Sequence, residues 1–74
     1  MTKNQAGLLL RIYRAEKRGG AVCLAPFNRR DAVSLIKDGL VCRIPQANGE
    51  TYLYATQAGM SRVEEILENS RERG

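Results

Sequence analysis

The stretch from Asn28 to Gly59, NRRDAVSLIKDGLVCRIPQANGETYLYATQAG, does most to limit what this chain can fold into. Ala32, Val33, Leu35, Ile36 and Leu40 cover one face of a helix predicted over Arg29–Asp38. Asn28 stands as its N-cap, and Asp31 is spaced to reach back to the first turn. Gly39 supplies the left-handed residue that stops the helix. Strands are expected over Leu40–Ile44 and Thr51–Ala55, with Asn48-Gly49 turning the chain between them and Pro45 marking an edge. Thr56 then caps another helix, whose apolar face is Met60, Val63, Ile66 and Leu67. A helix, an antiparallel ribbon and a second helix in so short a span point to a small α+β domain.

Upstream, Leu8, Leu9, Ile12 and Tyr13 recur at helical spacing and predict a first helix over Asn4–Arg18, ended by Gly19-Gly20. Glu16 falls on the apolar side of that helix, and the sequence offers no account of it. Ala21–Leu24 reads as a short strand able to join the ribbon as a third member, followed by a turn at Ala25-Pro26-Phe27. Phe27 is expected in the core. The whole chain, 1–74, reads as one domain, with a polar tail at Asn69–Gly74 that is expected to fray. A domain this small has a limited core, so dimerisation is one route to stability.

The residues Leu35-Ile36-Lys37-Asp38-Gly39-Leu40-Val41, Arg43, and Leu53-Tyr54-Ala55-Thr56-Gln57-Ala58-Gly59 carry a family likeness. They resemble the C-terminal part of multiple-antibiotic-resistance-type and other bacterial winged helix-turn-helix regulators. Those proteins have a helix ending in Leu-x-x-x-Gly-Leu-Val, a charged strand, a turn, then apolar-x-apolar-Thr-x-x-Gly. The resemblance covers about residues 30–67. It implies three helices with a two- or three-stranded antiparallel wing sheet. It also implies that Asn28, Arg29, Arg30, Ser34 and Lys37 occupy readout positions on the recognition helix, and that Arg43, Gln46 and Asn48 occupy wing positions. The chain departs from the family between its first two helices. Only Ala21–Phe27 is available there, so the bracing helix is missing or reduced to one turn. The layout also looks like that of small phage and mobile-element proteins.

Charge agrees with a polyanionic partner. The net charge is +4, but residues 1–50 carry nine Lys/Arg against four Asp/Glu, whereas residues 51–74 carry three Arg against four Glu. Arg11, Arg14 and Arg18 form a stripe on the first helix that either clamps phosphates, is simply solvated, or meets Glu64, Glu65 and Glu68 of another molecule. On the second helix Arg30, Ser34 and Lys37 share an outward stripe, beside a second one made by Asp31 and Asp38. If Leu53 and Ala55 face the core, strand alternation puts Tyr52 and Tyr54 together on the other side. There they stack on bases, pack against a partner, or shield the back of the sheet.

Cys23 and Cys42 lie in predicted strands, and the chain has no His. The leading reading is two buried free thiols; a disulfide and a metal shared across a dimer are the alternatives. Two thiolates do not complete a zinc site, and no nucleophile–base pair or glycine-rich phosphate loop is present, so neither catalysis nor a cofactor is expected. No apolar run reaches the ~20 residues a bilayer requires, and Arg11 and Arg14 interrupt the early one, so no membrane partner and a cytoplasmic location are expected. Two functions follow. The first is a DNA-binding transcriptional regulator acting on double-stranded DNA, alone or as a homodimer. The second is a phage- or mobile-element-encoded interaction module that modulates a host protein or nucleoprotein complex through Tyr52 and Tyr54.

Overall fold

Thr2 starts the first helix. Its hydroxyl accepts a hydrogen bond from the Gln5 N–H, and the Gln5 side chain accepts one from the Thr2 N–H, each at 3.2 Å. This reciprocal box satisfies two otherwise unpaired donors and sets helix α1 over Lys3–Lys17. The computed structural model describes the backbone of residues 1–73 and the side chains of residues 1–69. The order is α1, β1 (Val22–Cys23), α2 (Arg29–Lys37), β2 (Val41–Pro45), β3 (Thr51–Ala55) and α3 (Gln57–Arg73). It is an α+β domain of three helices and a three-stranded antiparallel sheet in the order β1-β3-β2, a winged-helix-like layout.

The first two helices end in the same way. Gly19 and Gly39 have φ of 81° and 76°. After α1, Gly20 N–H bonds to Ala15 O and Gly19 N–H to Glu16 O; after α2, Leu40 N–H bonds to Leu35 O and Gly39 N–H to Ile36 O. Both are Schellman closures, which use a glycine because a Cβ opposes positive φ. The second closure drives Leu40 back onto Leu35, and both are buried. Of the tail expected to fray, Asn69–Gly74, the residues up to Arg73 belong to the helix; the side chains of residues 70–74 and the whole of Gly74 lie outside what the structure describes.

Between β2 and β3 the register pairs Val41 with Ala55, Arg43 with Leu53 and Pro45 with Thr51. The flanking bonds Thr56 N–H to Leu40 O and Gln46 N–H to Glu50 O set the alternation, so Pro45 sits where its missing N–H would point to the free edge. Leu53, Ala55 and Val41 face the helices and join Leu8, Leu9, Ile12, Ala32, Leu35, Leu40 and Val63 in one core. Thr56 connects three elements. Its hydroxyl donates to Gly39 O at 2.6 Å and accepts from Gly59 N–H at 3.1 Å, which caps α3. Gly59 lies against Leu40, and a Cβ there would overlap the Leu40 carbonyl oxygen.

Two side chains finish the sheet edge beside β1. The Ala55 N–H points away from β2, and β1 is too short to reach it. Glu16 Oε1 accepts that N–H at 2.6 Å, which explains an acid on the inner side of α1. Asn28, 5% exposed, closes the outer rim of β1: its Oδ1 accepts the Ala25 N–H at 2.8 Å and its Nδ2 donates to Cys23 O at 3.1 Å.

Several expectations need correction. Asn28 makes no side-chain cap to α2, because its amide is held by β1. Phe27 is 80% exposed, since the Asn28 anchor turns the preceding residue outward. Val33 is 50% exposed, because the buried stripe of α2 is narrower than its apolar sequence. Cys23 and Cys42 are free but exposed, because register places them opposite Tyr52 and Tyr54 on the uncovered sheet face.

Candidate nucleic-acid interface

Burial of Ala32 and Leu35 fixes the rotation of α2. Arg30, Val33 and Lys37 therefore point outward, with half-buried Ser34 at the margin. Arg30 and Lys37 are seven residues apart, which places them ~10 Å apart along the axis and within ~20° of each other around it. Asp31 turns toward α1 and leaves this face, while Asp38 remains exposed at the helix end. Because Asn28 does not cap α2, no side chain at its N-cap satisfies the N–H groups of the first turn.

Lys3, Arg11, Arg14, Lys17, Arg18, Arg29, Arg30, Lys37 and Arg43 are all exposed. Among the described residues none of them forms an ion pair; the pair present is Arg62–Glu65 at 3.3 Å, within α3. Of the four acids in residues 1–50, Glu16 is held by the Ala55 N–H and Asp31 is half-buried. The cationic excess of this part of the chain therefore stands at the surface without an ion-pair partner among the described residues.

These cations form groups rather than one cluster. Lys3 and Arg11 line a cleft of about 370 Å³ with Asn4, Gly7, Phe27 and Asp31, between the first half of α1 and the start of α2. Arg14, Lys17 and Arg18 surround a separate depression at the far end of α1, where the Lys17 ammonium lies 5.2 Å from the Tyr13 ring. Arg11, Arg14 and Arg18 are exposed along the same side of α1, Arg11 beside the start of α2 and the other two at the far end. Arg43 projects from the wing strand on the Leu53 side of the sheet.

The wing polar residues hold the turn itself. Gln46 Nε2 donates to Ile44 O at 3.1 Å, and Asn48 Oδ1 accepts the Glu50 N–H at 3.0 Å. Gly49, with φ of 89°, completes the turn. Asn28, which the family resemblance puts at a readout position, is buried and has both polar atoms engaged, so its role is to anchor the start of α2.

The opposite face of the sheet carries Cys23, Cys42, Ile44, Tyr52 and Tyr54. The tyrosine ring centroids are 6.5 Å apart with planes tilted by 57°. Cys23 and Cys42 flank β3 on separate strands opposite different residues, Tyr52 and Tyr54, which puts them ~12 Å apart, beyond the ~7 Å limit for a disulfide. The Cys23 thiol donates to Glu50 Oε2 at 3.6 Å. Desolvation against the sheet, the charge of Glu50 and this hydrogen bond push its pKa above the ordinary thiol value.

Sequence reasoning missed Lys3 and Phe27 as surface neighbours of Arg11. The spacing of Arg11 was visible, but nothing local marks Phe27 as exposed. Among the described residues no group of three or more His, Cys, Asp or Glu is placed to hold a metal ion, and no helix is long and apolar enough to cross a membrane. No protein-family model, curated protein or solved structure matches the chain.

Proposed function

We propose that this chain is a small DNA-binding protein, a transcriptional regulator that presents α2 and the β2–β3 wing to duplex DNA. The observation that carries the reading is the set of nine exposed cations in residues 1–50, none ion-paired among the described residues, with Arg30 and Lys37 on the outward face of α2. Arg and Lys donate to guanine acceptors, and Ser34 serves either base type. The uncapped first turn of α2 adds backbone donors suited to phosphate. Between α1 and α2 the chain has β1 and the Pro26–Asn28 turn, and Asn28 braces α2 by tying its start to β1.

Titration against mixed-sequence duplex at two salt concentrations tests the reading. If Arg11, Arg29, Arg30, Lys37 and Arg43 each neutralise one phosphate, affinity falls about 500-fold for a fourfold rise in salt. An absence of binding at low salt, or an affinity indifferent to salt, refutes it.

The tyrosine face favours a second reading, an interaction module that docks on a host protein or nucleoprotein complex. Ile44 is 46% exposed there, beside half-buried Tyr52 and Tyr54. The charge on this face is Glu50, which suits a protein surface better than phosphate. A Tyr52→Ala, Tyr54→Ala variant that loses a protein partner while keeping its DNA affinity supports this reading; unchanged partner capture removes it.

A further inference from the structure

We infer that Phe27 is a base-stacking residue, and that its cleft takes an unstacked nucleobase of a single strand or a locally opened duplex. The inference rests on the nucleic-acid reading above and adds to it the form of nucleic acid that is bound.

Phe27 is the most exposed of the large hydrophobic side chains, at 80%, against 52% for Met1, 50% for Val33 and 46% for Ile44. Its position is held from beneath. Asn28 is buried and ties the turn through Ala25 N–H and Cys23 O, and its own N–H bonds to Ala25 O at 3.1 Å. Pro26 restricts the backbone just before it. An aromatic ring on such a fixed turn loses little conformational freedom when it gains a partner.

The surroundings select the partner. Phe27 lines one side of the cleft with Lys3, Asn4, Gly7 and Arg11, and Arg29 and Arg30 follow it in the chain. All four of these cations are exposed, and none is ion-paired among the described residues. One aromatic ring sharing a cleft with Lys3 and Arg11 is too small an apolar patch to seat a protein core, whereas a base attached to phosphates satisfies both elements. Gly7 leaves the wall open, since a Cβ there would meet nothing within 4 Å. Asp31 lines the same cleft and offers an acceptor to the exocyclic amine of cytosine. The whole 370 Å³ cleft is of a size to admit a single planar base.

The chain contains no Trp, so Phe27→Trp introduces a single tryptophan at the site, excited selectively to the red of the three tyrosines. Titration of that variant with a short oligodeoxycytidine is expected to quench its emission at least about twofold as the base stacks. In parallel, Phe27→Ala is expected to weaken binding to the single strand about 10-fold while leaving the salt dependence unchanged, because no cation is removed. Phe27→Leu keeps apolar bulk without a ring and is expected to behave like Phe27→Ala. Circular dichroism of each variant reports its fold, which the exposure of Phe27 predicts to be intact. Unchanged oligonucleotide affinity in Phe27→Ala, or unquenched emission from Phe27→Trp at saturation, overturns the inference. If the wild type still binds duplex with steep salt dependence in that case, the proposed function survives; if the wild type binds neither form, both fall.

Discussion

Replacing Asn28 by Ala separates an anchoring role from a readout role. The side chain is 5% exposed and makes two hydrogen bonds, at 2.8 Å to the Ala25 N–H and 3.1 Å to Cys23 O. Its removal leaves one backbone donor and one backbone acceptor at the rim of β1 without partners. Each costs about 1–1.5 kcal/mol at a partly buried site, so the expected loss is about 2–3 kcal/mol. That is a large share of the ~4–11 kcal/mol expected for a domain of this length, and it lowers the melting temperature by roughly 10–20 °C. Urea denaturation followed by circular dichroism measures the loss directly. The Asn28→Asp variant sharpens the test, because a carboxylate still accepts the Ala25 N–H but opposes the Cys23 carbonyl. It should fall between wild type and Asn28→Ala near pH 4, where the introduced carboxyl is partly protonated and able to donate, and lose ground as the pH rises. A residue used for DNA readout would behave differently, weakening affinity with stability within about 0.5 kcal/mol of wild type. Observing that for Asn28→Ala would refute the anchoring argument.

Gly59→Ala places a Cβ against the Leu40 carbonyl, a backbone atom that cannot yield cheaply, and is expected to destabilise by about 2–3 kcal/mol in the same denaturation assay. Glu16→Ala strands the Ala55 N–H and is expected to cost about 1–2 kcal/mol, with Glu16→Gln closer to wild type because it keeps an acceptor; equal losses in the two would discount the hydrogen bond. Desolvation and, after it, the charge and hydrogen bond of Glu50 raise the Cys23 pKa, so Glu50→Gln should speed alkylation of Cys23 at pH 8, read by mass spectrometry of the labelled peptide, and an unchanged rate would argue against the contact. A variant carrying Arg30→Ala and Lys37→Ala should bind duplex DNA more weakly and lower the slope of log affinity against log salt by about 1.8; an unaltered slope would take the outward face of α2 out of the interface.

Much of the architecture was legible in local sequence. Gly39 and Leu40 specify the end of α2 together, since a left-handed glycine and a buried leucine are what a Schellman closure consists of. Alternation in Thr51–Ala55 assigned Leu53 and Ala55 to the core and the two tyrosines to the other face. Apolar spacing starts α1 at Asn4, one residue late, because the Thr2–Gln5 box and not the apolar face sets the helix start. The candidate site was less legible. Arg30 and Lys37 were placed on the outside correctly, because helical rotation follows from Ala32 and Leu35. Lys3 and Phe27 meet Arg11 only through the packing of α1 against the turn before α2, which no sequence period encodes.

Periodicity, glycine placement and turn chemistry act within a few residues, and they determined the order, ends and faces of these helices and strands. What depended on distant neighbours was decided only when the sheet formed. β1 extends over two residues, so its rim and the Ala55 N–H needed partners, and Asn28 and Glu16 were the polar groups within reach. That requirement drew Asn28 inward and turned Phe27 outward, because a buried backbone group without a hydrogen bond costs more than an exposed aromatic ring.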